Sequence, residues 1–481
     1  MMLLSLLLTP LTAAGLIAMT RRRALMELFH TLAGLATLAA GAALVAQVWN
    51  GRTISAVGDL FRVDTFSAFM VAMITFLGAV ASLYSVGYLR AEFNGDHLPR
   101  SRLFFALFHL FIFTMLIAVT TDNLGVMWIA TEGTTLATVF LVNLHQTRTS
   151  LEAAYKYLMI SSVGIALAFI GTALVYYAGA AKAGEIAVNW STLRAAATSL
   201  NPEVVRLAFV FIVIGYGTKA GFAPMHTWLP DAHSEAPAPI SALMSGVLLN
   251  VGLYAMLRFK AVVDVAVGPE FAARLLIGIG LLSLVVATAF LVRPRNYKRM
   301  LAYSSVEHIG IVCLGLGFGG WGVFGALLHV FNHALAKSLL FILSGNILLK
   351  YHSAEIHEVR GLLRTSPWTG ALFLAGTFAL IGLPPFAPFV SKFIIFRAGL
   401  ESQPWVAGTA VVLMVIVFGG MLASVNRMLY GAAPTELLRG DVSPGWLAPL
   451  AANLALLIAL GLTLPPPLVE ALQRVLKVLG A

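Results

Sequence analysis

Apolar stretches of roughly twenty residues, each long enough for a helix to cross a ~30 Å hydrocarbon layer, recur along the whole chain. Their approximate extents are 2–19, 25–48, 65–88, 103–121, 123–143, 153–178, 205–223, 239–258, 272–292, 299–318, 322–349, 368–398, 405–430 and 446–465. A backbone inside lipid must satisfy its own hydrogen bonds, so each stretch is expected to be a helix. The pattern predicts an all-α polytopic membrane protein of about fourteen transmembrane helices. Composition agrees, with 59% hydrophobic and 11% charged residues where soluble domains average about 25% charged. No polar stretch is long enough for a separate soluble domain, so residues 1–481 read as one membrane domain.

The net charge of +10 raises the question of nucleic acid. No basic cluster with interleaved aromatics occurs, so no nucleic-acid partner is expected. In a membrane protein, lysine and arginine gather in cytoplasmic loops. Odd-numbered connections hold seventeen of them, including Arg21, Arg22, Arg23, Arg293, Arg295, Lys298 and Arg299, against nine in even-numbered ones such as those with Lys182 and Arg194. That bias puts the odd connections in the cytoplasm and both termini outside. The opening run "MMLLSLLLTPLTAAGLIAMTRRR" has its arginines after the apolar part. A secretory signal has them before it, so this run reads as a first spanning helix. A single cysteine, Cys313, allows no disulfide framework or thiolate cluster. No iron–sulfur cluster, structural zinc or haem is expected in the chain itself, and no cofactor or metal ligand set is assigned.

Two segments read as broken. "GYGTKAGFAPMHTWLP" surrounds Lys219 with Gly215, Gly217, Gly221 and Pro224, and "GLPPFAPFVSKF" puts Pro384, Pro385 and Pro388 before Lys392. Proline removes a donor and clashes with the preceding turn. Paired interruptions in two halves of a membrane chain point to a transport site. The halves also match in spacing: Glu132 and Glu307 are 175 residues apart, Lys219 and Lys392 173, Lys156 and Lys337 181. This suggests two five-helix repeats, about 103–258 (helices 4–8) and 272–430 (helices 9–13), after three N-terminal helices (about 1–100) and before a last one at 446–465.

Ionisable residues within spans are expensive and usually functional, at ~2.5–3.5 kcal/mol or more near the bilayer centre. Glu132 lies mid-segment, where glutamate is too short to reach the interface. Lys219 and Lys392 lie at the two breaks. Lys156, Glu307 and His308 lie nearer segment ends, where snorkelling is the alternative. In "LLHVFNHALAKSLLF", His329, His333 and Lys337 recur every four residues, which aligns them on one helix stripe over roughly 12 Å. Imidazoles take and give protons near neutral pH. A carboxylate moving to or from ~4 Å changes the energy of an ammonium by ~4 kcal/mol at an effective dielectric of 20, enough to load or discharge it. Such a stripe can therefore relay protons. His-x-x-x-His is also metal-ligand spacing, but the His-Glu-x-x-His pattern is absent, which leaves zinc a weak reading. The polar stretch "HTWLPDAHSEAPAPISALMSG" contributes His226 and His233 as further candidates, while Asp231, His233 and Glu235 also fit ordinary loop charges.

These motifs resemble the antiporter-like subunits of respiratory complex I, of Mrp-type sodium–proton antiporters and of group-4 membrane-bound hydrogenases. The resemblance is carried by "WIATEGTTLATVFLV", "KAGFAPMHTWLPDAHSEAPAPISALMSG", "KRMLAYSSVEHIG", "GALLHVFNHALAKSLLFILSGNI" and "GLPPFAPFVSKF". The stretch "SLEAAYKYLMISSVGIALAFIGTALVYY" looks most like the hydrogenase-4 component F type. The resemblance implies fourteen helices with two inverted five-helix repeats, each with one broken helix. It implies proton translocation through Glu132 and Lys219, an axis of His329, His333 and Lys337, and Lys392 at the other exit. Where complex I relatives often carry a lysine in the eighth helix, this chain reads "LLNVGLYA", with Asn250. An amide can order water but cannot hold a proton, so histidine and water gain weight in the relay. No lateral helix extension is expected after the last segment.

The function implied is a proton-pumping subunit, in a bacterial inner membrane, of a redox complex whose chemistry belongs to other membrane subunits and a peripheral redox arm. One rival is a cation–proton antiporter of the Mrp kind that moves sodium. The other is a membrane anchor for a soluble partner, as in an inorganic-carbon uptake system.

Overall fold

The computed structural model describes residues 2–49, 51–93, 98–183, 188–434, 437–441 and 444–480. The side chain of Lys182, counted above among the loop charges, lies outside the described residues. The helices are α1 Met2–Met19, α2 Arg23–Val48, α3 Thr65–Glu92, α4 Leu98–Thr120, α5 Leu124–Val142, α6 Arg148–Ala183, α7 Trp190–Ala195, α8 Pro202–Ala220, α9 Trp228–Glu235 and α10 Ala238–Leu243. They continue with α11 Leu249–Ala266, α12 Pro269–Leu291, α13 Tyr297–Phe318, α14 Trp321–Tyr351, α15 Leu362–Thr365, α16 Pro367–Ile381, α17 Ala387–Ser402, α18 Pro404–Leu429, α19 Pro444–Leu462 and α20 Pro466–Leu479. Strands β1 Ile54–Ala56 and β2 Phe61–Val63 form an antiparallel hairpin between α2 and α3, which the sequence reading did not anticipate.

Helix starts follow local chemistry. The side chains of Asp64, Asn123, Asn201 and Asn296 accept hydrogen bonds from the free backbone N–H groups of the turns they precede. Pro202, Pro269 and Pro404 take the first helical position, where a missing N–H costs nothing.

The chain is a polytopic membrane protein. Among the described residues twelve helices are long and apolar enough to cross a membrane, or up to thirteen if the bent pair Trp446–Leu462 and Pro466–Leu479 counts as one span. The count falls short of fourteen for a physical reason. The segment read as 368–398 divides into α16, of 15 residues, and α17, with Gly382–Phe386 unwound between them. Neither half reaches spanning length alone. After α19 the chain turns by 79° into α20, a helix where the sequence reading drew none. Large apolar side chains stay exposed on the outer faces of α6 (Met159, Val163, Phe169) and α18 (Val412, Val415, Ile416). In water such a surface would be an aggregation liability, whereas in lipid it is the favoured solvent. Helix α14 lies at the centre, buried from Gly322 to Ile347 apart from Phe331.

One ionic clamp ties α11 to the start of α3. Arg258 donates from both terminal nitrogens to Asp64, each at 2.7 Å, and from Nε to Tyr254 at 2.9 Å. Its guanidinium also lies 4.3 Å from the Trp190 ring centroid. Burial pushes the Asp64 carboxyl up, but the Arg258 charge and the hydrogen bonds it accepts outweigh this and hold it below the ordinary aspartate value. The pair therefore stabilises the fold above about pH 4, and that contribution is lost as pH falls through the lowered value. Arg258→Met should cost about 3–5 kcal/mol, because it strands a buried carboxylate. Thermal unfolding in detergent should show the loss at pH 7, and Asp64→Asn should flatten the acid limb of the stability profile.

Candidate proton-transfer site

Lys219 is fully buried two residues before Gly221, whose φ of +83° ends α8. A left-handed turn of this kind suits glycine because it has no Cβ. The freed backbone is partly re-satisfied: Trp228 Nε1 donates to the Thr218 carbonyl at 2.9 Å. Lys219 Nζ donates to Thr135 Oγ1 and, at 3.4 Å, to the Tyr157 hydroxyl. Thr135 donates in turn to Glu132 Oε2 at 3.0 Å, and Ser162 donates to Glu132 Oε1 at 2.6 Å. Glu132 is half-buried. The carboxylate and the ammonium thus meet through one hydroxyl, which accepts from the lysine while donating to the glutamate.

The second half repeats the theme with direct contact. Glu307 on α13 and Lys392 on α17 form a buried ion pair at 3.8 Å. Lys392 Nζ also donates to the carbonyls of Ile381 at 3.2 Å and Leu380 at 3.4 Å, the free C-terminal end of α16. Unpaired carbonyls at a helix end favour a cation there. The break before Ala387 therefore makes the lysine site as well as interrupting the helix.

Between these pairs runs the α14 stripe. His329, His333 and Lys337 are all buried. His308 of α13 joins them: its Nδ1 shares a hydrogen bond with His329 Nε2 at 2.8 Å, and its ring stacks on His329 at 5.0 Å and His333 at 4.9 Å. His329 Nδ1 shares a second hydrogen bond with Ser391 Oγ at 2.8 Å, next to Lys392. Lys337 Nζ donates to the Leu301 carbonyl and Ser304 Oγ. One residue on, Ser305 meets Ser245 at 2.8 Å, where the helix between α10 and α11 widens to a π-helical stretch at Met244–Leu248. Asn250 follows, its Nδ2 donating to the Gly246 carbonyl at 2.7 Å.

Several buried polar atoms along this line have no hydrogen-bond partner among the described residues: His308 Nε2, His333 Nε2, Asn332 Oδ1 and Asn250 Oδ1. Buried polar groups are normally satisfied, and ordered water is the usual partner where protein groups are not.

Lys156 sits on the exposed first turns of α6, in ion pairs with Glu152 at 2.6 Å and Asp231 at 3.1 Å, and Asp231 also pairs with Arg299. The structure does not bring Lys156 to Glu132 or Lys219. Its match with buried Lys337 is one of spacing only. Helix α9 has two faces. Asp231 belongs to that surface cluster, which lines a cavity of ≈ 160 Å³, while His233 packs inward between Trp228 and Phe341 at 6.1 and 5.6 Å. His226 is buried in the turn before α9, its ring 6.2 Å from Tyr303. Sequence reasoning missed the connecting hydroxyls Thr135, Tyr157, Ser162 and Ser391. Only Thr135 and Ser391 carried a signal, through their nearness in sequence to Glu132 and Lys392. No group of three or more His, Cys, Asp or Glu among the described residues is arranged to hold a metal.

Residues 121–418 match the family described as NADH:quinone oxidoreductase/Mrp antiporter, TM, and residues 59–100 match complex I chain 5 N-terminus. A hydrogenase-4 component F homolog of Methylacidiphilum infernorum is 36% identical over 424 residues, covering 87% of this chain and 88% of that one. Among solved structures, a subunit of the membrane-bound sulfane sulfur reductase, an archaeal respiratory membrane complex, superposes with a TM-score of 0.89 at 24% identity, covering 99% of this chain and 97% of that one. One from the Mrp complex of Dietzia sp. DQ12-45-1b gives 0.87 at 21% identity, covering 99% and 97%.

Proposed function

Because the chain belongs to the membrane-spanning family of NADH:quinone oxidoreductase and Mrp antiporter subunits, we propose that it translocates protons within a respiratory-type redox complex. The observation that carries this reading is the run of ionisable side chains, buried apart from half-buried Glu132, with an acid–lysine pair at each end: Glu132 and Lys219, then Lys337, His333, His308 and His329, then Glu307 and Lys392. Such groups are too costly to keep within spans without use.

Each part has a task. Lys219 holds a proton, and Glu132 sets how tightly through Thr135. The imidazoles at His308 and His329 pass protons by exchanging which nitrogen donates. Lys337 holds charge at the centre of α14. Lys392 releases the proton when the Glu307 carboxylate no longer faces it. Asn250 orders water without holding a proton. His226, in the turn before α9, and His233, which packs from α9 onto Phe341 of α14, serve as the run's inlet from the surface cluster at Asp231.

The architecture we propose is two inverted five-helix repeats, about 103–258 and 272–430, within a fourteen-helix subunit. The acid–lysine pairs at nearly constant spacing, each beside a broken helix, support it. The basic bias of the odd connections supports an inner-membrane orientation with both termini outside. The partners are other membrane subunits and a peripheral redox arm. The family's Mrp members keep sodium open as a second cation.

The test is luminal acidification by proteoliposomes that hold the reconstituted native complex, driven by its own redox turnover. Protonophore-sensitive acidification, independent of sodium, is the expected result. Turnover without acidification supports the anchor reading. Acidification that requires a sodium gradient supports the antiporter.

A further inference from the structure

A second buried histidine pair lies outside the run just described. His30 on α2 and His109 on α4 are buried, and His30 Nδ1 shares a hydrogen bond with His109 Nε2 at 3.0 Å. The other nitrogen of His30 shares one with Ser85 Oγ on α3 at 2.8 Å, and Ser85 donates on to the Ser82 carbonyl. Phe105 and Phe108 enclose the His30 ring at 4.4 and 4.8 Å. Three residues toward the helix start, about 4.5 Å along the axis, Glu27 binds Arg90 and Arg23. In the other direction His109, Thr37 and Thr75 line a void of ≈ 10 Å³, near the lower limit for one water molecule. Thr75 continues to an open groove between α2 and α3 that ends at Trp49. A polar seam therefore follows the α2–α3 contact from Glu27 to Thr75 through an otherwise apolar set of helices.

We propose that His30 and His109 form a second proton-holding site, which lets the seam among α2, α3 and α4 carry protons beside the central run. The proposal rests on the reading of the chain as a proton-translocating subunit. The step balances. When the Ser85 hydroxyl turns from the Ser82 carbonyl to His30 Nε2, it passes its proton to that nitrogen as its oxygen takes one from the outer side, and His30 becomes an imidazolium. Its Nδ1 proton passes to His109 Nε2, leaving His30 neutral with the proton on Nε2. His109, now the imidazolium, releases a proton from Nδ1. The charged and titratable groups facing the pair are Arg23 and Glu27 on α2, Arg90 on α3, and each histidine toward the other; α1 has no titratable side chain.

The rival is a structural staple, in which the rings only join helices. Glutamine can keep such a hydrogen bond but cannot carry a proton through. In the reconstituted complex, His30→Gln and His109→Gln should assemble and lower proton uptake at least about ten-fold. Ser85→Ala should shift the midpoint of the uptake–pH profile by about half a unit or more, because it frees the outer nitrogen of His30. Lys219→Ala runs beside them as the reference. If Lys219→Ala stops uptake while the glutamine variants keep wild-type uptake and pH profile, the pair is a staple and this proposal alone falls. If Lys219→Ala also pumps normally, the central reading falls with it. If the glutamine variants fail to assemble, Ser85→Ala decides, and an unchanged profile overturns the proposal.

Discussion

Lys219→Ala is expected to end proton uptake while the complex still assembles and its redox partners still turn over. The side chain is buried at the end of α8, donates to the hydroxyls of Thr135 and Tyr157, and lies over the Tyr157 ring. Glu132, which is half-buried, keeps hydrogen bonds from Thr135 and Ser162 when the ammonium is gone. The fold therefore loses little, and the site loses the ammonium that holds the proton. Lys219→Arg should be nearly as damaging. A guanidinium stays charged at any working pH, so it can occupy the position but cannot discharge. Uptake by proteoliposomes, with assembly checked on native gels, should fall at least about ten-fold for both variants. Wild-type uptake from assembled Lys219→Ala would remove the loadable site from the account.

The second large effect is expected at the other end. Glu307→Gln should abolish uptake and also destabilise the subunit. Lys392 would keep its buried charge with only two carbonyls as partners, and breaking a buried ion pair from one side typically costs about 3–5 kcal/mol. The double variant Glu307→Gln with Lys392→Met separates the two consequences. Replacing both partners removes the stranded charge, so thermal stability should recover toward wild type. Uptake should not recover, because the exit can no longer bind or release a proton. If stability and uptake recovered together, the pair would be structural.

The parts of the site that were legible in the sequence are those with a steep energetic cost. A carboxylate or ammonium inside an apolar segment stands out because insertion is so unfavourable, as Glu132, Lys219, Lys392 and the α14 stripe do. Hydroxyls are cheap in helices, since they can donate back to a carbonyl one turn away, as Thr131 and Thr138 do here. Thr135, Tyr157 and Ser391 therefore left no mark of their own, although they join the charged groups. Lys156 reads as a charge near a segment end, where snorkelling is the alternative; helix α6 starts at Arg148, so Lys156 lies on turns that project past the apolar part and pair at the surface. His30 and His109 stand alone in their segments, and no spacing rule links positions 79 residues apart. The helix count was legible only as a number of apolar stretches. Proline breaks that build the Lys392 site also shorten α16 and α17, and a bend after α19 leaves an amphipathic turn-off that periodicity alone did not flag.

The central claim is that both halves serve one path. Independent paths and a single path predict different arithmetic when sites in both halves are removed. Distant residues with no shared role have additive effects, whereas residues in one obligatory sequence do not. The decisive measurement is proton uptake per turnover by the reconstituted complex with Lys219→Ala, with His329→Gln, and with both. Glutamine at position 329 can keep the contact with Ser391 but carries no proton. The account predicts that each single substitution abolishes uptake and that the double variant is no worse. If each single variant kept about half of the uptake and only the double lost all of it, the halves would be separate channels, and the continuous path would be contradicted.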